Sequence, residues 1–194
     1  MARRQLHAQD SILDAVRSLV ARNGPRAVTI KAVAEASNAP TGSIYHRFGS
    51  LDELLVRTWL RAVRRSQLAL LGVDYGDPVR GAIDAALAMY DFCLAEREDA
   101  LLLGAFRAED LRKDGLPDEL RMELDQVNAP VERPLAELAC RLSSVDGLPD
   151  MEVVLLAVVD LPYGFARRYL DSVSAPPPES RVRLEAAVGA TLDA

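Results

Sequence analysis

Apolar side chains recur along most of the chain at helical spacing. Near the N-terminus, Ile12, Val16, Leu19 and Val20 lie three or four residues apart or adjacent, and so mark one face of a helix. No segment alternates apolar and polar residues for long enough to indicate a strand. The pattern therefore predicts an all-α protein.

Turn residues divide this periodicity into separate helices. Asn23-Gly24-Pro25 ends the first helix, because glycine adopts the left-handed conformation and proline cannot continue a helix. The later boundaries predict helices over about 29–38, 40–48, 51–71, 78–96, 98–111, 117–142, 150–171 and 179–192.

Polar residues at three of these boundaries have a local physical role. The Thr29 hydroxyl can accept a hydrogen bond from the free amides of the second helix. Asn38 tolerates the left-handed conformation in which that helix would end. Ser50 and Glu53 have the spacing of a capping box for the fourth helix.

Charge is distributed unevenly between the two ends of the chain. Residues 1–70 contain eleven Lys and Arg against five Asp and Glu, a net charge of +6, although the whole chain carries −6. The remainder, with 12 basic and 24 acidic residues, carries −12. The polar turn at 74–78 lies where the sign changes. A basic front joined to an acidic back is typical of a DNA-binding module attached to another domain.

The residue inventory disfavours an enzyme. His7 and His46 are the two histidines, so we expect no histidine-based metal site and no cofactor. The sequence contains no phosphate-binding glycine loop, GxSxG, CxxC or HExxH motif. Cys93 and Cys140 lie in apolar helical patterns and are interpreted as small hydrophobic residues. With no signal peptide and no long apolar run, we expect a soluble, cytoplasmic protein.

The most informative segment contains the second and third helices. Small residues at Ala34, Ala39 and Gly42 allow the two helices to cross closely, while Ile44 and Phe48, four residues apart, anchor the third helix. A short helix with an apolar anchor and a polar, basic outer face suits the major groove of DNA. The side chains left on that outer face are Thr41, Ser43, Tyr45, His46 and Arg47.

From residue 34 to residue 48 the chain reads AEASNAPTGSIYHRF. This segment resembles the DNA-binding signature of the tetracycline-repressor (TetR/AcrR) family, and the resemblance covers residues 10–55. It implies a helix-turn-helix DNA-binding domain over 1–55 and a ligand-binding and dimerisation domain over 56–194, joined by a helix at about 51–71. It also implies a ligand-responsive repressor that binds a palindromic operator as a homodimer.

The resemblance implies phosphate contacts for Thr29 and Lys31, and groove contacts for Thr41, Gly42, Tyr45 and His46. The outer face adds Ser43 and Arg47. For His46, the alternative to a DNA contact is a solvated surface position. Three residues depart from the family pattern: Asn38 replaces a glycine, Arg47 a histidine, and Leu51 a lysine that contacts phosphate in many relatives. The last contact should be missing unless Arg47 or an N-terminal arginine supplies the charge.

The second half of the chain suggests two further sites. The residues predicted to line a ligand pocket, or to form ordinary core, are Met89, Phe92, Cys93, Leu102, Phe106, Val127 and Tyr163. The wide apolar helix faces favour an apolar ligand, and the net charge of −12 disfavours an anionic one, so the expected ligand is neutral or cationic. The last two helices are predicted to form the dimer interface, through Leu155, Val159, Tyr163 and Val188. Asp160 lies within an apolar run and is expected to be buried and paired with Arg167 or Arg168.

The main alternative keeps the same DNA-binding fold. In that alternative, the regulator is controlled by a protein partner or acts without an effector. A closed apolar cavity in the second half would favour the ligand-responsive protein, and a filled core would favour the alternative.

Overall fold

The computed structural model describes residues 2–143, 151–170 and 175–193, with side chains from residue 9 onward. No strand occurs in these ranges, and the predicted all-α fold is confirmed. The helices are α1 (Ala2–Asn23), α2 (Ile30–Ser37), α3 (Thr41–Phe48), α4 (Leu51–Leu71), α5 (Pro78–Ala95), α6 (Arg97–Ala105), α7 (Ala108–Leu111), α8 (Asp118–Asp125), α9 (Ala129–Leu142), α10 (Met151–Leu155), α11 (Leu161–Leu170) and α12 (Glu179–Leu192), with a 3₁₀ turn at Pro25–Ala27 and a π-helical turn at Leu156–Asp160.

The ends of the first four helices follow from their local sequence. Gly24 has a φ of 78° after α1, and Asn38 is in the left-handed conformation (φ 52°) after α2. The Thr29 hydroxyl accepts a hydrogen bond from the Ala32 amide at 3.1 Å. Ser50 and Glu53 form the expected cap of α4, where the Glu53 amide donates to Ser50 Oγ at 3.1 Å. These predicted caps are confirmed.

Two of the predicted long helices are interrupted. The helix expected over 98–111 is divided into α6 and α7 at Phe106 and Arg107, and the helix expected over 117–142 is divided into α8 and α9 at residues 126–128. The Phe106 carbonyl accepts a hydrogen bond from the Trp59 indole N–H at 3.2 Å. Pro130 lies in the first turn of α9, where proline is favoured because its missing N–H would have no partner. Both uninterrupted helices were therefore wrong predictions.

The described chain divides into two compact units. The first contains residues 1–64 and 101–127, and the second contains residues 65–100 and 128–194. Two of the three boundaries fall within α4 and α6, and the third falls between α8 and α9. The functional division at residue 55 stays a prediction.

The core of the first unit joins segments that are distant in sequence. Leu102, Leu111, Leu116, Leu120 and Leu124 belong to the same buried cluster as the apolar faces of α1 to α4. The N-terminal helices are therefore completed by the segment 101–127, which adds five buried leucines to their core.

The second unit is built around α5, which packs against α9, α11, α12 and the π-helical turn. Ala82, Ala85 and Ala86 are fully buried on α5, and their small side chains let neighbouring helices approach closely. At the surface, Arg80 of α5 forms ion pairs with Asp84 at 2.6 Å and with Glu185 of α12 at 3.0 Å.

The described part of the predicted helix 150–171 is helical throughout, but residues 150 and 171 lie outside the described ranges. It contains the π-helical turn immediately before Leu161, where the Leu161 amide donates to the Leu156 carbonyl. Pro162 has no N–H to donate to Val158, so the regular hydrogen-bond ladder cannot continue at this point. Asp160, at the end of this turn, is exposed rather than buried as predicted, because this part of the helix lies at the surface of the unit.

No helix in the described ranges is both long enough and apolar enough to cross a membrane.

Candidate nucleic-acid interface

Helix α3 separates anchoring from exposed positions along its eight residues. Ile44 and Phe48 are almost completely buried in the core of the first unit. Thr41, Gly42, Tyr45 and His46 are exposed, with Tyr45 exposing 51% of its surface. Since the anchors are four residues apart, the exposed residues form a polar surface on the outer side of the helix.

A side-chain hydrogen bond stabilises the outer face of α3. Arg47 Nε donates to Ser43 Oγ, one turn earlier, at 3.3 Å. Both residues are half-buried at the edge of the face. The bond restricts the guanidinium group and holds its charge close to the exposed residues.

The N-terminus of α2 supplies a second part of this surface. Thr29 and Lys31 are exposed there. The Thr29 oxygen already accepts from Ala32, which leaves its hydroxyl hydrogen free to donate to another acceptor. A helix N-terminus with a lysine beside it has the charge and the donors that a phosphate requires.

Gln9 of α1 is a site residue that the sequence did not reveal. It lines a shallow depression of about 370 Å³ together with Ser43, His46 and Arg47 of α3. Gln9 is half-buried on α1, one turn before Ile12. Nothing in its local sequence distinguishes it from other polar helix residues, because its position depends on how α1 crosses α3.

Leu51 departs from the family pattern for a packing reason. It is half-buried and packs against the core of the first unit. A leucine there contributes apolar contact where a lysine would contribute charge. The side chains of Arg3 and Arg4, the other expected source of charge, lie outside the described residues.

The residues predicted to line a ligand pocket are divided between the two units. Leu102, Phe106 and Val127 belong to the first unit, and Met89, Phe92, Cys93 and Tyr163 belong to the second. Leu102 is completely buried in the first unit's core, and Phe106 and Val127 are partly buried side chains that pack against this core. The second unit contains a groove of about 400 Å³ on the helices from the π-helical turn to α12, and none of the seven predicted residues lines it.

The predicted dimer residues are not equally accessible. Leu155 exposes 40% of its surface, and Val159 and Tyr163 are half-buried. Val188 is completely buried inside its own subunit, so its side chain cannot meet a partner. Val182, one and a half turns earlier on α12, exposes 67% and presents the apolar surface that Val188 was expected to present.

The two cysteines have different environments. Cys93 is buried, and burial raises the pKa of its thiol to about 12, which keeps it protonated and unreactive. Cys140 is exposed, contrary to the prediction of a buried residue, because its side of α9 faces away from the core. Among the described residues, no group of three or more His, Cys, Asp or Glu side chains has a metal-binding arrangement.

The arrangement of α2 and α3 on α1 and α4 defines a helix-turn-helix protein of the DNA-binding regulator class. Residues 12–58 match the model of the bacterial regulatory proteins of the tetR family. This match lies in the N-terminal part of the chain, and it confirms the resemblance to the tetR family found in the sequence. The chain has the DNA-binding fold of tetR-family transcription regulators.

Solved structures share this fold over nearly the whole chain. A TetR family transcription regulator from Marinobacter aquaeolei VT8 is 16% identical, with a TM-score of 0.76, and covers 100% of this chain and 97% of its own. A transcriptional regulator from Rhodococcus sp. RHA1 is 21% identical, with a TM-score of 0.70 and coverages of 95% and 94%. The fatty acid degradation regulator FadR from Bacillus halodurans is 16% identical, with a TM-score of 0.61 and coverages of 94% and 96%. At these identities the likeness shows the fold alone. No curated protein matches the chain.

Proposed function

We propose that this protein is a transcriptional repressor that binds a palindromic operator as a homodimer and releases it when a small apolar molecule binds. The observation that carries the proposal is the outer face of α3, where the half-exposed Tyr45 and the exposed His46 lie beside two buried anchors. An α-helix presented in this way fits the major groove, which is wide enough to admit it.

Phosphate contacts complete the proposed interface. Thr29 and Lys31 at the start of α2 hold the DNA backbone, and the outer face of α3 meets the base edges. The net charge of +6 over residues 1–70 supports this assignment, since displacement of counterions from DNA by basic residues supplies much of the binding free energy.

A dimer provides the symmetry of the proposed operator. Two reading helices related by a two-fold axis and about 34–36 Å apart would enter successive major grooves on one side of the DNA. The exposed apolar residues Leu155, Leu156 and Val182 on the last helices support a dimer surface there. Val159 and Tyr163 are half-buried and stay candidates for this surface, whereas Val188 is buried inside its own subunit.

The ligand response rests on the family resemblance and on the acidic, largely apolar second half of the chain. Helix α4 continues from residue 51 to residue 71, directly after the reading helix. A ligand that moved α4 would change the spacing of the two reading helices. The burial of Leu102 in a packed core favours the alternative, a regulator controlled by a protein partner or acting without an effector.

A mobility-shift assay on the DNA upstream of the gene tests the central proposal. We expect Tyr45→Ala to weaken operator binding at least about a hundred-fold, or about 2.8 kcal/mol. A dimer carries the substitution twice, and each good DNA contact contributes about 1–3 kcal/mol. Met122→Ala is the matched control, because Met122 is similarly exposed (56%) in the same unit.

Circular dichroism should show the same helical content in the Tyr45→Ala variant and the natural protein, because the replaced side chain is half-exposed. Unchanged operator affinity in Tyr45→Ala would reject α3 as the reading helix.

A further inference from the structure

The last helices of the second unit enclose a groove of mixed apolar and charged character. Its volume is about 400 Å³, and its floor is bridged by the hydroxyl groups of Tyr169 and Ser180, 3.3 Å apart. Leu156, Leu161 and Phe165 supply apolar walls, while Asp160, Arg168 and Arg183 supply charge.

Three residues form an exposed stripe along one side of this groove. Asp160, Gly164 and Arg168 are spaced by four residues, so they lie one above another on the same helix face. A Cβ atom added at Gly164 would meet nothing within 4 Å. The centre of the stripe is therefore open, and the backbone of a second helix can approach it closely.

The charges of the stripe are arranged symmetrically about Gly164. Asp160 lies four residues before the glycine and Arg168 four residues after it. When two copies of a helix cross antiparallel on a two-fold axis, each residue before the axis faces the residue the same distance after it on the other copy. With the axis at Gly164, Asp160 of each copy faces the partner's Arg168.

We propose that a second copy of this chain occupies the groove, with the two-fold axis at Gly164 and two reciprocal Asp160–Arg168 ion pairs across the interface. This inference rests on the proposed homodimer and specifies its register. The pairs would select the partner, because a helix without the same two charges in the same order would leave both of them unpaired at the interface.

Charge complementarity favours a second copy over a small molecule. An anionic ligand would be repelled by Asp160 and a cationic ligand by Arg168 and Arg183, whereas an inverted copy of the stripe satisfies both signs. Neither Asp160 nor Arg168 forms an ion pair with another residue in the described ranges. The exposed side chains of Leu155, Leu156 and Val182 extend the apolar contact beyond the groove.

Charge reversal tests the register, with sedimentation velocity as the readout. We expect Asp160→Arg and Arg168→Asp, each alone, to raise the dimer dissociation constant at least about ten-fold, because each places like charges opposite one another twice. The double variant, with both substitutions in one chain, restores the pairs in reversed order. We expect its dissociation constant to return to within about three-fold of the natural value.

A mixture of the two single variants supplies an independent readout. Each homodimer contains two repulsive pairs, but the heterodimer contains two attractive ones, so we expect heterodimers to predominate when the variants are combined. Recovery on mixing also excludes misfolding as the cause of the single-variant defects. Arg167→Asp is the matched control, since it makes the same charge change at the neighbouring exposed position, off the stripe.

The outcomes separate the register from the dimer itself. A natural protein that is monomeric at micromolar concentration would overturn the proposed homodimer and this inference with it. A stable natural dimer whose single variants dissociate no more than Arg167→Asp, or whose double variant and mixture do not recover, would overturn the register alone.

Discussion

Each residue of α3 serves either the core or the outer surface, and its position in the helix decides which. Ile44 and Phe48 fasten the helix, and the residues between them are left for recognition. Arg47 lies at the boundary, where its bond to Ser43 fixes the side chain while its charge stays near the surface. In the proposed complex this charge replaces the lysine that is absent at Leu51.

The proposed role of Arg47 can be tested by measuring how operator affinity depends on salt concentration. We expect Arg47→Ala to reduce the slope of log affinity against log salt by about one per subunit, and so by about two for a dimer, because fewer counterions are displaced. Arg112→Ala is the control, since it removes the same charge from an exposed residue of the first unit that pairs with Asp125. An equal slope in both variants would contradict a phosphate contact by Arg47.

Gln9 lines the same depression as Arg47 but is uncharged. Its substitution therefore separates the loss of a hydrogen bond from the loss of a charge. We expect Gln9→Ala to weaken binding to all operator sequences by a similar factor of about 5 to 150, because a neutral hydrogen bond contributes about 0.5–1.5 kcal/mol and a dimer carries the substitution twice. The salt slope should stay unchanged, since no charge is removed. Fluorescence anisotropy over a salt series measures both quantities. A change confined to one base position would instead assign Gln9 to base recognition.

At the scale of elements, α8 belongs to the DNA-binding unit although it begins 70 residues after the end of the reading helix. Leu120 and Leu124 are buried with the apolar faces of α1 and α4. Arg64 of α4 also pairs with Glu123 of α8 at 2.5 Å. Helix α8 therefore stabilises α4, the helix that directly follows the reading helix α3.

Cavity formation in α8 should destabilise the first unit. We expect Leu120→Ala to lower the free energy of unfolding by about 2–5 kcal/mol, the usual cost of removing a buried leucine side chain. Met122→Ala, an exposed position on the same helix, should change it by less than about 0.5 kcal/mol. Trp59, the single tryptophan, lies in the same core, so its fluorescence during urea denaturation reports this unit. Equal midpoints for the two variants would exclude α8 from the core.

At the scale of the whole molecule, each of two proposed tasks belongs to a different part of the chain, one to the basic N-terminal part and the other to the acidic remainder. The basic part is attracted to DNA, which is negatively charged. The acidic remainder is repelled by DNA and so does not bind it in place of the basic part. The proposed ligand response requires a free-energy coupling between these tasks of only about 1–3 kcal/mol.

Reciprocity provides the test of that coupling. We expect an apolar compound found by thermal stabilisation to weaken operator affinity about 5–150-fold, and the operator to weaken the compound by the same factor. Titrating each ligand at fixed concentrations of the other measures both factors. Compounds that stabilise the protein but leave operator affinity unchanged would instead favour the effector-free regulator.

The sequence alone determined the features that depend on neighbours within about four residues. The cap at Thr29, the left-handed Asn38 and the spacing of Ile44 and Phe48 specify the helix-turn-helix, because propensity and hydrogen bonding act locally. Ile44 and Phe48 also belong to the segment 34–48 that carried the family resemblance. The outer face of α3 followed directly from its anchors.

Only the tertiary structure decided which surfaces meet and which helix faces are covered. It placed Gln9 beside His46, assigned Leu120 to the DNA-binding core, and exposed Val182 instead of Val188. It also exposed Asp160, which an apolar local sequence had suggested was buried. Periodicity identifies an apolar helix face, but the position of the other helices determines what covers it, and that position depends on contacts between residues far apart in the chain.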